Sequence, residues 1–154
     1  MSFAPLNNLS KNVKVTRIEN SAVAGTDDTI TSDAVDMQGF DTCLFLALFG
    51  TLTASAVTSI KVQQSDDDGS TDAYSDLLGT SVSIADSRDN DIIGVEVTRP
   101  AKRYLKLVVT RATANAVLDG VIALQSGAHS VPVTHDATTV ADIELHVSPA
   151  EGTA

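Results

Sequence analysis

The sequence predicts an all-β protein, a jelly-roll-like two-sheet sandwich of about eight strands with flexible or exchanged terminal arms. Three observations lead there. Apolar and polar residues alternate over short runs, the period of a strand with one buried face. Each run is bounded by Gly, Asp, Asn, Ser or Thr, which supply turns by accepting left-handed geometry or by bonding their own backbone. No segment spaces its apolar residues three and four apart for the length an amphipathic helix needs, which limits helix to short turns. Composition agrees: with four Phe, two Tyr and no Trp in 154 residues, the core falls to Val, Leu, Ile and Ala, and β-branched residues favour strands.

Residues 12–18 open the pattern, with Val13 and Val15 in alternation. Residues 42–49, TCLFLALF, are nearly all apolar and read as the core strand, buried on both faces. Residues 57–64 alternate through Ile60 and Val62, residues 82–85 form a short fragment, and residues 93–98 alternate through Val95 and Val97 until Pro100 breaks the ladder. Residues 103–110 set Leu105, Leu107 and Val109 against Tyr104, Lys106, Val108 and Thr110, and residues 117–125 follow a turn. The last candidate, residues 141–148, alternates without error, Ala141, Ile143, Leu145 and Val147 against Asp142, Glu144, His146 and Ser148. Its apolar side must cover something, either its own domain or a neighbour's sheet edge, which makes Ile143, Leu145 and Val147 interface candidates.

The expected organisation is an N-terminal arm over residues 1–11, a sandwich domain over 12–133 and a C-terminal arm over 134–154 with an added strand. A chain of 154 residues, 43% hydrophobic, is long enough for one real core. Residues 126–139 are rich in Ser, Thr, Pro and His and read as a linker. An immunoglobulin-type sandwich lacks its usual Cys pair and Trp, and no internal repeat points to a propeller or solenoid.

A formal net charge of −10 opposes binding to nucleic acid or to an anionic membrane, which need a broad cationic surface. The single cysteine, Cys43, excludes an intramolecular disulfide, and its apolar setting predicts a buried thiol. No run of 18 apolar residues and no basic-then-apolar leader occurs, so a cytoplasm-like compartment is expected.

Catalytic patterns are missing: there is no GxSxG, HxH, HExxH or CxxC, and the histidines, His129, His135 and His146, all fall near the C-terminus in polar settings that read as solvated. No enzyme and no cofactor are expected. A metal cupin would need a clustered histidine and carboxylate motif. The acids Asp66, Asp67, Asp68, Asp72 and Asp76 invite comparison with a calcium loop. Gly69 follows Asp68, but no acid closes the loop at the EF-hand distance, so solvated turn residues are the plainer reading and a calcium-dependent carbohydrate-binding module the alternative from another class. Scarce aromatics weaken both sugar-binding and glycosidase readings.

Charge segregation is sharper. Arg99, Lys102, Arg103, Lys106 and Arg111 are five of the ten Lys and Arg residues and lie within thirteen positions. With the acidic tip Asp66, Asp67, Asp68 they predict complementary halves of an intermolecular contact, where electrostatics sets orientation and register. The plain alternative is that they are ordinary solvent-facing strand residues.

Taken in order, SIKVQQSDDDGSTDAYSDL, RPAKRYLKLVVTR and VIALQSGAHSVPV, with the turn Gly39, Phe40, Asp41 before the apolar strand, resemble the small capsid cement or decoration proteins of tailed bacteriophages. The resemblance covers residues of about 34 to 133. It implies a β-rich module, often a jelly roll, that binds outside the shell of the major capsid protein and bridges neighbouring capsomers. It also implies self-association as a dimer or trimer on the virion, assembly in the host cytoplasm, and no catalytic residues. A tail-tube or head-completion protein is the alternative within the same class.

Overall fold

The computed structural model describes residues 8–153, and the first seven residues of the expected N-terminal arm lie outside that range. One helical turn, α1 (Leu9–Asn12), precedes the strands. These are β1 (Lys14–Glu19), β2 (Ala22–Gly25), β3 (Asp28–Thr31), β4 (Val35–Asp36), β5 (Thr42–Leu52), β6 (Val57–Ser65), β7 (Ser75–Asp76), β8 (Val82–Ile84), β9 (Ile92–Thr98), β10 (Tyr104–Ala112) and β11 (Ala116–Ser126). No helix among the described residues is long and apolar enough to cross a membrane.

Two antiparallel sheets form a sandwich. The first runs β1, β11, β5, β9, with β2 following β1 along the same side of β11; the second runs β3, β10, β6, β7, with β4 beside β3 on β10 and β8 beside β7 on β6. The facing sides are the predicted apolar sets. Cys43, Phe45, Ala47 and Phe49 of β5 pack with Leu118, Val121 and Ala123 of β11 against Ile60 and Val62 of β6 and Leu105, Leu107 and Val109 of β10, all essentially without solvent exposure. Cys43 is buried as expected, and burial, with Glu96 adding a like charge, pushes its thiol up to about 12.

Several expectations change. The all-β sandwich holds, but eleven strands replace eight, because β2, β3, β4 and β7 are two to four residues long and too short for a period to show. β5 is not buried on both faces: Cys43, Phe45 and Ala47 alternate with Leu44, Leu46 and Leu48, which are only half-buried on the outer face of the sheet. Residues 141–148 form no strand in the single chain.

That outer face is covered in part by the C-terminal segment, which is no free linker. The Val133 N–H donates to Lys11 O at 2.8 Å, the Val15 N–H to His135 Nδ1 at 3.1 Å and the Arg17 N–H to Thr139 Oγ1 at 3.4 Å. His135 Nε2 lies 2.9 Å from Ser10 O. With Nδ1 accepting from Val15, Nε2 is left to donate to Ser10 O, so His135 fastens the C-terminal segment to residues 10–15 rather than standing in solvent. Beyond it Val140 shares a cleft of about 290 Å³ with Val15, Leu48 and Ile122. Ile143 shares one of about 470 Å³ with Leu9, Val13, Leu44, Leu124 and Glu96. The segment thus crosses the sheet from β1 toward β9.

Candidate assembly interface

β6 ends at Ser65, whose buried hydroxyl organises the acidic loop by accepting from the Gly69 N–H at 2.9 Å and donating to Asp72 O at 2.6 Å. Asp67 turns inward on the same loop. Its carboxylate accepts from the Thr71 N–H at 2.8 Å, the Asp72 N–H at 3.1 Å and the Thr71 hydroxyl. These bonds, the Thr71 hydroxyl first, favour the ionised form and hold the Asp67 carboxyl at about 2.

The basic strand lies directly across this loop. Lys102 Nζ sits 2.5 Å from Asp72 and 3.8 Å from Asp66, and the short bond to Lys102 leads the lowering of the Asp72 carboxyl. Lys106 Nζ stands 4.2 Å from the centre of the Tyr74 ring and 3.9 Å from Asp68, whose Oδ1 accepts from the Tyr74 hydroxyl at 2.6 Å. Arg103 makes a two-pronged pair with Asp36 at 2.8 and 2.7 Å. The acidic tip and basic strand are therefore complementary, as their sequence suggested, but within one chain. β6 and β10 are hydrogen-bonded neighbours, with Gln63 opposite Lys106 and Ser65 opposite Tyr104, so both charge clusters come to one end of one sheet.

Arg111 departs further from expectation. It is 4% exposed and sits between the sheets' ends, where Nε donates to Asp28 at 2.7 Å, Nη2 donates to the other Asp28 oxygen, and Nη1 donates to Val23 O at 2.8 Å and Ala116 O at 2.7 Å. Gly25 makes room for it, since a Cβ there would lie 2.5 Å from Arg111 Nη2. Arg111 is an internal tie joining β10, β2, β3 and β11 and is not available as a contact residue. Arg111 keeps the parity of Leu105, Leu107 and Val109, so the strand period already set it on the buried face; its partners gave no sign, because Val23 and Asp28 come from segments too short to be read as strands.

Arg99 is different again. Its φ of 51° turns the chain out of β9, its N–H donates to Asp41 O at 2.7 Å, and its exposed side chain has no acidic partner among the described residues. Among the C-terminal candidates, Ile143 is half-buried in its cleft, whereas Leu145 and Val147 are 46% and 90% exposed. Of the residues read as contacts, Arg99, Leu145 and Val147 are exposed with no ion-pair partner among the described residues, while Asp66, Asp68 and Arg103 are paired within the chain and still exposed. Among the described residues no group of three His, Cys, Asp or Glu is arranged to hold a metal ion.

No protein-family model matches the sequence, and no curated protein matches it significantly. Solved structures do match by shape. The PBSX exported protein XepA superposes with a TM-score of 0.55 at 16% identity, over 94% of this chain and 47% of that one. The likeness is one of fold. This chain spans about half the length of XepA. Weaker matches are the CBM22-1 xylan-binding domain of Xyn10C from Paenibacillus barcinonensis, with a TM-score of 0.42, 11% identity and coverage of 78% and 95%, and infectious bursal disease virus, with 0.44, 10% and coverage of 82% and 35%. Two-sheet β architecture is what this chain has in common with XepA.

Proposed function

We propose that this chain is a structural virion protein that binds the outside of a phage capsid and cements neighbouring major capsid protein subunits. The observation that carries the reading is the C-terminal segment. It is fastened to the sandwich at His135, lies across an apolar sheet face through Val140 and Ile143, and then presents Leu145 and Val147 to solvent at alternate positions. A rigid sandwich with an apolar arm suits bridging on a shell that repeats one surface many times, because weak contacts to two or three neighbours multiply into avidity. The ordered landmarks shared with capsid decoration proteins and the fold likeness to a PBSX protein support the same reading.

The test is sedimentation of the purified chain with undecorated phage heads. The expected result is co-pelleting at a fixed ratio to the major capsid protein, abolished by Leu145→Asp with Val147→Asp, two exposed changes that leave the sandwich folded. Failure of the wild-type chain to pellet with any head, or stacked rings formed by the chain alone as a tail-tube protein would form, overturns it.

A further inference from the structure

Among the described residues, most sheet edges are short or covered. In the second sheet both edges are built from strands of two to four residues, β3 with β4 and β7 with β8. In the first sheet the β1 edge is capped by His135 and Thr139, which take up the Val15 and Arg17 N–H groups. β9 has neither protection. It is seven residues long, pairs with β5 without a bulge, contains no Pro or Lys, and has no strand on its other side among the described residues. A long regular edge of that kind is a template for another strand.

We infer that β9 is a self-association edge, at which two copies of this chain pair β9 with β9, antiparallel, about a two-fold axis at Val95. Hydrogen-bond parity is the first support. The Asp91 carbonyl and the Arg99 N–H bond toward the β5 side, at Phe49 and Asp41, so the odd-numbered residues of β9 face β5. The groups of Ile92, Gly94, Glu96 and Thr98 therefore face outward. An axis at Val95 sets Ile92 opposite the second copy's Thr98 and Gly94 opposite its Glu96, and each such pair exchanges both backbone bonds.

Side chains favour the same register. Gly94 carries no side chain because a Cβ there would lie 2.8 Å from Phe45 O, and this leaves clear space opposite Glu96. Shifting the axis to Glu96 would instead set two glutamates against each other. At the strand ends the Val95 axis brings Asp91 opposite Arg99 twice over. That gives Arg99 the acidic partner it lacks among the described residues of its own chain and adds a second cation to an Asp91 that already pairs with Arg88. Such a contact is self-complementary, as a two-fold interface must be. It does not depend on any capsid.

Analytical ultracentrifugation of the full chain across a range of concentrations tests it. Wild-type protein is expected to sediment as a dimer that dissociates on dilution. Glu96→Pro removes an outward N–H at an edge position where proline is tolerated, and is expected to sediment as a monomer with unchanged circular dichroism. Arg99→Asp and Asp91→Arg each place like charges opposite one another and are expected to weaken the dimer tenfold or more, and the double variant to restore it. A wild-type chain that stays monomeric at millimolar concentration overturns the inference. So does a folded Glu96→Pro protein that still self-associates, or a double variant no tighter than either single one.

Discussion

Replacing Arg111 with methionine separates its internal role from the surface role its sequence position suggests. Methionine keeps most of the apolar stem, so the loss is that of the guanidinium alone. Two carbonyls, Val23 O and Ala116 O, lose their hydrogen bonds from the guanidinium, and hydrogen bonds to charged groups are worth about 1.5–3 kcal/mol each. Asp28 is 42% exposed and rehydrates when the cation is gone, so it adds little. The sum, about 3–6 kcal/mol, overlaps the usual cost of about 3–5 kcal/mol for breaking one side of a buried pair. For a domain of this size that is a drop in Tm of roughly 6–24 °C, at about 2–4 °C per kcal/mol. Urea and thermal unfolding followed by circular dichroism measure it, with Lys102→Met as the comparison. Lys102 neutralises the acidic loop at the surface, so its loss is expected to be far smaller. Equal losses for the two variants, or an Arg111→Met loss under about 1 kcal/mol, would refute the tie.

Three further outcomes are expected. Asp67 is ionised more readily in the folded chain than its ordinary value of 3.8 allows, so its share of stability is complete above about pH 4 and disappears as pH falls through about 2; carboxyl titration by NMR should show that low midpoint, and Thr71→Val should raise it. Cys43, with its thiol raised to about 12, should resist thiol reagents at pH 8 in the native state and react fully in urea. Gly94→Ala should destabilise the chain by about 1–3 kcal/mol in urea melts, since the added methyl group meets backbone rather than a side chain that can move aside.

The fold was legible in the sequence wherever a strand was long enough to show its period. β6, β9, β10 and β11 fall within a few residues of the alternation that predicts them, and their inward residues are the core. The short strands β2, β3, β4 and β7 were not, because a run of two to four residues has no period and is held by its longer neighbour. The perfect alternation of residues 141–148 states what the segment can pair with, and in the single chain it forms no strand. Ile143 instead settles on the sheet face. TCLFLALF looked buried on both sides because leucine serves equally well in a core and beneath a strap. The charged clusters were located correctly, but sequence distance hid the β6 and β10 register that joins them within one chain. Arg111 shares the parity of Leu105, Leu107 and Val109, but its partners on β2, β3 and β11 could not be read from the sequence.

The strap at His135 also fixes how the molecule meets force. Val133 bonds Lys11, and His135 reaches both Ser10 and Val15, so residues 10–15 and 133–135 are tied side by side on the sandwich. Tension applied between them is met at once by these few bonds and by the β1–β11 ladder, and reaches the packed sheets only after both have parted. A pull between the two segments would peel the strap first and leave the core intact.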